Sequence, residues 1–132
     1  MRYLLDTNVC VDFLNGRFPS VTERIQRSSP RDLCISSVVV AELRFGADRS
    51  SSRLRNHRRL DVLTAEIACV DFDLQAASAY DNVRAKLEAK GSPIGANDML
   101  IAAHALALGV VLVTDNLREF ERVEGLEVET WR

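Results

Sequence analysis

Val110-Val111-Leu112-Val113 is an unbroken apolar run that ends in Thr114-Asp115-Asn116. A strand with one wet face alternates polar and apolar residues; a run with no polar position suits a parallel strand covered on both faces. That run asks for helices on two sides of a sheet, and the rest of the chain has matching pieces. Short apolar runs lead into Asp6, cover Leu33-Cys34-Ile35-Ser36 and Ile67 to Phe72, and recur from Leu126 to Thr130. Segments with helical spacing lie between them. Val9 to Asn15 is closed by Gly16. Pro19-Ser20 opens a second helix with Ser20 and Glu23 at capping-box spacing. Ser37 is placed to cap a helix from Val38 to Ala47, ended by Gly46 or by the stretch from Asp48 to Ser52. Arg53 to Thr64 reads as a basic amphipathic helix with Leu54, Leu60 and Leu63 inward. Asp73 caps a helix running to Lys90, with Ala76, Tyr80, Val83 and Leu87 on one face and Gly91 beyond its end. Asn97 or Asp98 starts a helix that Gly109 ends, and a short turn spans Leu117 to Phe120. Strands alternating with helices define an α/β class: a three-layer α/β/α sandwich around a central parallel sheet. A length of 132 residues suits one domain, taken as 1–132.

The charge balance limits the partners. A formal net charge of -2 excludes a polycationic surface but leaves room for a local basic patch. Cys10, Cys34 and Cys69 have no CxxC spacing and sit in apolar runs, so buried reduced thiols are expected. His57 and His104 are too few and too scattered for a zinc site. No cationic start precedes a long apolar segment, and no run approaches the roughly 20 residues of a membrane span. A soluble, cytoplasmic protein is the resulting expectation.

Acidic or amide residues recur at equivalent places in this pattern. Asp6 ends the first strand, Glu42 lies early in the helix after the second, Asp98 is at a helix start, and Asp115-Asn116 ends the Val110–Thr114 strand. In an open parallel sheet, strand carboxyl ends and the helix starts that follow them gather along one edge, where ligands bind. Converging carboxylates repel unless a cation joins them. Oxygen ligands without histidine or thiolate suit Mg²⁺ or Mn²⁺. One or two such ions would activate water and hold charge on an attacked phosphate, which fits phosphodiester hydrolysis. Taken singly, each residue has a plainer explanation: an aspartate at a helix start is usually an N-cap, which alone would account for Asp98 and Asp73.

Leu4-Leu5-Asp6-Thr7-Asn8, then Ile35-Ser36-Ser37 leading to Ala41-Glu42-Leu43-Arg44-Phe45-Gly46, resembles the first half of a PIN domain, and more narrowly the VapC-type toxins of bacterial toxin–antitoxin pairs. The second half is similar through Gly91-Ser92-Pro93-Ile94-Gly95-Ala96-Asn97-Asp98, Ile101-Ala102-Ala103-His104-Ala105 and Leu112-Val113-Thr114-Asp115-Asn116-Leu117-Arg118-Glu119-Phe120. The likeness extends to Thr130-Trp131. It implies a PIN fold and a Mg²⁺- or Mn²⁺-dependent endoribonuclease held inactive by a cognate VapB-like antitoxin, with a homodimer as the assembly. Asp6, Glu42 and Asp98 fall on the family's three best-defined acidic positions. The fourth ligand is Asp115, Asn116 or Glu119, and with it the choice between one metal and two stays open. Thr7, Asn8 and Thr114 would support the pocket by hydrogen bonding. The Gly-x-Pro-Ile-Gly loop and the Thr-x-Asn-x-x-Glu-Phe segment resemble the subgroup that cuts the anticodon stem-loop of initiator tRNA.

Arg44, Arg49, Arg53, Arg55, Arg58 and Arg59 concentrate charge where phosphate could be met, and Arg118 lies near the acidic corner. A solvated helix face is the alternative. Arg84, Lys86 and Lys90 read as such a face. Val9, Phe13, Leu14 and Phe18 carry enough apolar surface for an antitoxin groove or for ordinary core packing. Two other readings stand beside the nuclease. One is a phosphohydrolase with Asp6 as covalent nucleophile, although the residue two on is Asn8 rather than aspartate. The other is a non-catalytic binding module on the same fold.

Overall fold

The computed structural model describes all 132 residues, Met1–Arg132. Its strands are β1 (Tyr3–Leu5), β2 (Leu33–Ser36), β3 (Ala68–Val70), β4 (Val111–Val113) and β5 (Val128–Glu129). They stand in the order β3-β2-β1-β4-β5, every neighbouring pair parallel. The helices are α1 (Thr7–Asn15), α2 (Pro19–Arg27), α3 (Ser37–Arg49), α4 (Arg53–Glu66), α5 (Leu74–Ala89), α6 (Ala96–Leu108) and α7 (Leu117–Phe120). Right-handed crossovers send α1 to α4 over one face of the sheet and α5 and α6 over the other. Accordingly, α1 packs on α2 and α3, α3 packs on α4, and α5 lies along α6. β1 and β2 are buried along their whole length, as unbroken apolar runs require when both faces are covered. The buried apolar side chains form one contiguous cluster, with Leu4, Leu5, Ile35, Ile101, Leu112 and Phe120 fully enclosed. This is the α/β/α sandwich expected from the alternation of runs. No helix is long and apolar enough to cross a membrane.

The topology places the site. From β1 the chain winds outward through β2 to β3, then returns across the sheet to β4 on the other side of β1. The reversal opens a crevice beyond the carboxyl ends of β1 and β4, where open α/β sheets bind ligands. The register pairs Leu5 with Val113, so Asp6 and Thr114 emerge side by side. The Asp6 amide donates to the Val113 carbonyl at 2.9 Å and continues the ladder into the crevice.

Several local expectations are corrected. Pro19 takes the first helical position of α2, its preferred place, so the N-cap falls on Phe18 and no side chain caps it. Ser20 and Glu23 then lie too far into the helix to form a capping box. Ser36, not Ser37, caps α3, accepting from the Val38 amide at 3.1 Å; the Ser37 hydroxyl instead accepts from the Phe72 amide at 3.0 Å. Gly46 does not end α3, which runs to Arg49. α6 begins at Ala96, with Gly95 at its N-cap, so Asp98 sits in the first turn rather than at the start. Leu54 is exposed because, at 3.6 residues per turn, it lies about 120° from Leu60 and about 180° from Leu63. Cys10 and Cys34 are buried, but Cys69 is exposed because β3 is an edge strand.

Candidate active site at the carboxyl ends of β1 and β4

Asp6 is both a helix cap and the floor of the crevice. Its Oδ1 accepts from the Thr7 amide at 2.8 Å, and its Oδ2 accepts from the Thr114 hydroxyl at 2.7 Å. The cap role foreseen for lone aspartates and the functional role therefore coexist in one side chain. Burial pushes its carboxyl above the usual range; the Thr114 and Thr7 hydrogen bonds oppose that, while the charges of Glu42 and Asp115 add to it. With 5% of its surface exposed and both oxygens engaged, Asp6 is poorly placed for in-line attack as a covalent nucleophile.

Thr7 joins two elements. Its amide binds Asp6, and its hydroxyl donates to Glu42 Oε1 at 2.7 Å, tying the amino end of α1 to α3. Glu42 is half-buried on the crevice side of α3. Ser36 sets that helix, since it ends β2 and caps α3 at once.

Across the crevice, Asp98 on α6 meets Glu119 on α7. A Cβ built at Gly95 would stand 3.3 Å from Asp98 Oδ2 and 3.6 Å from Glu119 Oε1. The missing side chain is what admits both carboxylates, because the φ of −56° at Gly95 is open to any residue. The Gly95 amide also donates to Glu119 Oε1 at 2.7 Å, and the Asn116 side-chain amide donates to Glu119 Oε2. Asp98 is pushed up to about 7, first by burial, then by the charge and hydrogen bond of Glu119, then by Asp6 and Glu42. Glu119 is held low, first by the Gly95 amide, with Asn116 and Asp98 also contributing. The two facing carboxyls are thus pushed in opposite directions, Asp98 up and Glu119 down.

The contested corner separates into distinct roles. Asp115 is held on one side only: its Oδ2 pairs with Arg132 Nη1 at 2.7 Å, while its Oδ1 is buried without a hydrogen-bond partner. Arg132 also holds the buried Asp12 through two contacts, 2.8 and 3.2 Å, and lies over the Phe18 ring at 4.2 Å. Asn116 uses its amide nitrogen to hold Glu119 and its backbone amide to reach the Thr114 hydroxyl at 3.1 Å. Glu119 is the side chain that reaches Asp98. Asn8, expected as a support, is exposed and makes no side-chain hydrogen bond, because Thr7 takes the inward position. Gly95 entered the sequence reading only as part of the Gly-x-Pro-Ile-Gly loop, and Asp12 and Arg132 escaped it. Asp12 had a signal, a carboxylate inside the apolar stretch from Val9 to Leu14; Arg132 had none.

None of Asp6, Glu42, Asp98 and Glu119 forms a salt bridge. Arg44 pairs with Asp61 at 2.7 Å and Arg53 with Asp48 at 3.0 Å, so both spend part of their charge within the fold. Arg49 and Arg118 are exposed and in no salt bridge. The donor set at the crevice is therefore all oxygen with uncompensated negative charge, which fits a hard divalent cation. No three His, Cys, Asp or Glu side chains close tightly enough on one point to coordinate an ion as they stand. Asp98 and Glu119 face each other beside Gly95.

Beside the crevice, Val11 and Leu14 of α1 face Leu43, Ala47 and Leu60 across a cleft of about 290 Å³. Of the four side chains expected to form a groove, only Leu14 does so. Val9 is in the core, and Phe13 and Phe18 are partly buried against it.

A parallel α/β/α sheet with acidic side chains gathered at its switch point is an arrangement suited to holding a hard cation beside a phosphate, and the sequence comparison names the family. Residues 3–126 match the PIN domain, and the chain belongs to that family. Among its relatives, the tRNA(fMet)-specific endonuclease VapC of Salmonella typhimurium is 38% identical over 131 residues, 99% of this chain and 98% of that protein. Ribonuclease VapC2 of Rickettsia felis is 38% identical over 132 residues, again 99% and 98% of the two chains. A crystal structure of DNA-bound VapBC from Salmonella typhimurium superposes with a TM-score of 0.95 at 37% identity, covering 100% of this chain and 99% of that one.

Proposed function

We propose that this chain is a divalent-cation-dependent endoribonuclease, the toxin of a toxin–antitoxin pair, acting in the cytoplasm on RNA, with a tRNA as its substrate. The observation that carries the reading is the convergence of Asp6, Glu42, Asp98 and Glu119 on one crevice with no side-chain cation in a salt bridge to any of them. The ribonuclease names of relatives matched along nearly their whole length support it.

In this reading Asp6, Glu42, Asp98 and Glu119 hold Mg²⁺ or Mn²⁺. Such an ion, when bound, supplies the positive charge that makes water a better nucleophile and stabilises the attacked phosphate. The chain's own residues hold the frame. Thr114 and Thr7 fix both Asp6 oxygens, and Thr7 also fixes Glu42. Gly95 and Asn116 aim Glu119. The amino ends of α1 and α6 border the same crevice, where helix dipoles favour the anionic phosphate. Arg49 and Arg118, with Arg55 and Arg58 on α4, are exposed cations free to meet the RNA backbone.

The partner proposed for the apolar cleft of Val11, Leu14, Leu43, Ala47 and Leu60 is a segment of a cognate VapB-like antitoxin, in keeping with the VapBC complex that the fold matches. Self-association into a dimer belongs to the same reading and is measured by sedimentation.

Asp6→Asn and Asp98→Asn are expected to abolish RNA cleavage while leaving the circular dichroism spectrum unchanged. Sequencing of RNA 5′ ends after brief expression reads the outcome: cuts confined to one tRNA support the substrate. Wild-type cleavage rates from either variant would refute the assignment of the pocket.

A further inference from the structure

We propose that the rim beside the carboxylate pocket is a nucleobase platform: Phe45, flanked by Arg49 and Asn97, seats an unstacked base of looped RNA next to the phosphate to be cut. This rests on the ribonuclease reading and names what that site recognises.

Phe45 is 61% exposed, although a phenylalanine on a helix normally turns to the core. It stands three residues after Glu42 on α3, so the two side chains share a helix face. Arg49, one turn further, places its guanidinium 5.5 Å from the ring centroid. The exposure of the ring leaves its other face free. Thr7, Glu42, Phe45, Gly46, Arg49 and Asn97 line a common cleft of about 590 Å³, so the platform opens directly onto residues of the carboxylate pocket.

Two further features point to a ligand here. Gly46 lies in the interior of α3, where glycine costs roughly 0.5–1 kcal/mol relative to alanine. A Cβ there would meet nothing within 4 Å and its φ is not positive, so the fold itself has no need of a glycine. Gly46 lines both this cleft and the neighbouring apolar one, and its bare backbone leaves space open beside the ring. Asn97, next to Asp98 on the opposite wall, is exposed and its side chain makes no hydrogen bond within the chain. Its amide offers both donors and an acceptor, the complement of a base edge.

The lining chooses between occupants. Apart from Phe45, every residue of this cleft is polar or glycine, whereas the neighbouring cleft carries Val11, Leu14, Leu43 and Leu60. A flat aromatic with a cation for phosphate and an amide for the base edge suits a splayed nucleotide, and an aliphatic groove suits a peptide. Stacking on aromatic side chains is how proteins hold unpaired RNA bases.

The test uses a stem-loop RNA carrying 2-aminopurine at each loop position in turn, added to full-length Asp6→Asn protein so that binding is read without cleavage. The proposal expects quenching at one loop position, retained in a Phe45→Trp background and lost with Phe45→Leu, which keeps an apolar side chain but has no ring. RNA affinity should fall roughly 5- to 150-fold with Phe45→Leu, the range of one stacked base. Gly46→Leu should also weaken RNA binding while leaving the melting temperature undiminished. In the cleavage-competent protein, an abasic nucleotide at the quenched position should slow cutting, and combining it with Phe45→Leu should add little further loss. Binding without Phe45-dependent quenching overturns the platform. So does a Phe45→Leu protein that cuts like wild type but no longer binds an antitoxin peptide, which would assign the rim to the protein partner. If wild-type protein neither binds nor cuts RNA, the ribonuclease reading itself falls, and the platform with it.

Discussion

Asp6 accepts one hydrogen bond on each carboxylate oxygen, and each donor belongs to a different element. A buried carboxylate held in this way has a single orientation, as a ligand for a hard ion needs. Gly95 acts at the same scale through what it lacks. Gly95→Ala adds a methyl 3.3 Å from Asp98 Oδ2 without straining the backbone, so it should cut turnover roughly 10- to 100-fold by misplacing two carboxylates while leaving the melting curve close to wild type. Single-turnover cleavage beside a thermal melt separates these effects. Asp98 also sets a pH dependence. Its carboxyl is raised to about 7 in the fold, so the folded protein binds that proton more tightly than the unfolded chain does. The stability gained is fully present below the unfolded value of about 4 and is lost as pH rises through about 7. In EDTA, Asp98→Asn should therefore raise the melting temperature at pH 8 and change it far less at pH 5. An equal shift at both pH values would show that burial and the charges of Glu119, Asp6 and Glu42 do not raise Asp98.

At the scale of elements, Arg132 ties three parts of the chain together. It grips Asp12 of α1, Asp115 after β4, and the Phe18 ring ahead of α2. Asp12 is buried, and an uncompensated buried carboxylate is costly. The same side chain engages one oxygen of Asp115 and leaves the other without a partner. Arg132→Met should lower the melting temperature by roughly 5 °C or more, and Asp12→Asn in the same protein should recover much of the loss. Differential scanning calorimetry of both variants measures this. A fall that Asp12→Asn does not repair would show that the packing of Arg132 on Phe18, rather than its charge, secures the carboxyl end.

Over the whole molecule, the sheet order brings Asp6, Glu42, Asp98 and Glu119 to one edge from four separate segments. A cation bound there couples all of them to stability. Mn²⁺ at a hundredfold excess over its dissociation constant should raise the melting temperature by roughly 10 °C, and Asp6→Asn should abolish most of that shift. No shift in wild-type protein would favour a binding module with a weakened site. Much of this architecture was legible in the chain. Strand positions, and hence the parallel α/β/α class, follow from runs such as Val110–Val113, because a run without alternation fits only a strand covered on both faces. The placement of Asp6 and Asp98 followed too, since each sits where a strand ends or a helix begins, and local pattern marks such points. Local pattern erred where two neighbouring residues compete for one role, as Ser36 and Ser37 do at the cap of α3, or where helix phase turns on a few residues, as at Leu54. The fourth acid lay beyond its reach. Asp115, Asn116 and Glu119 are near neighbours in sequence, and nothing in their spacing ranks them. Their separation follows from contacts with distant residues: Arg132 pairs with Asp115, and the bare backbone of Gly95 receives Glu119. Short-range periodicity determines which segments become strands and helices; which carboxylate reaches Asp98 depends on charge pairing and free space between segments that only the folded chain brings together.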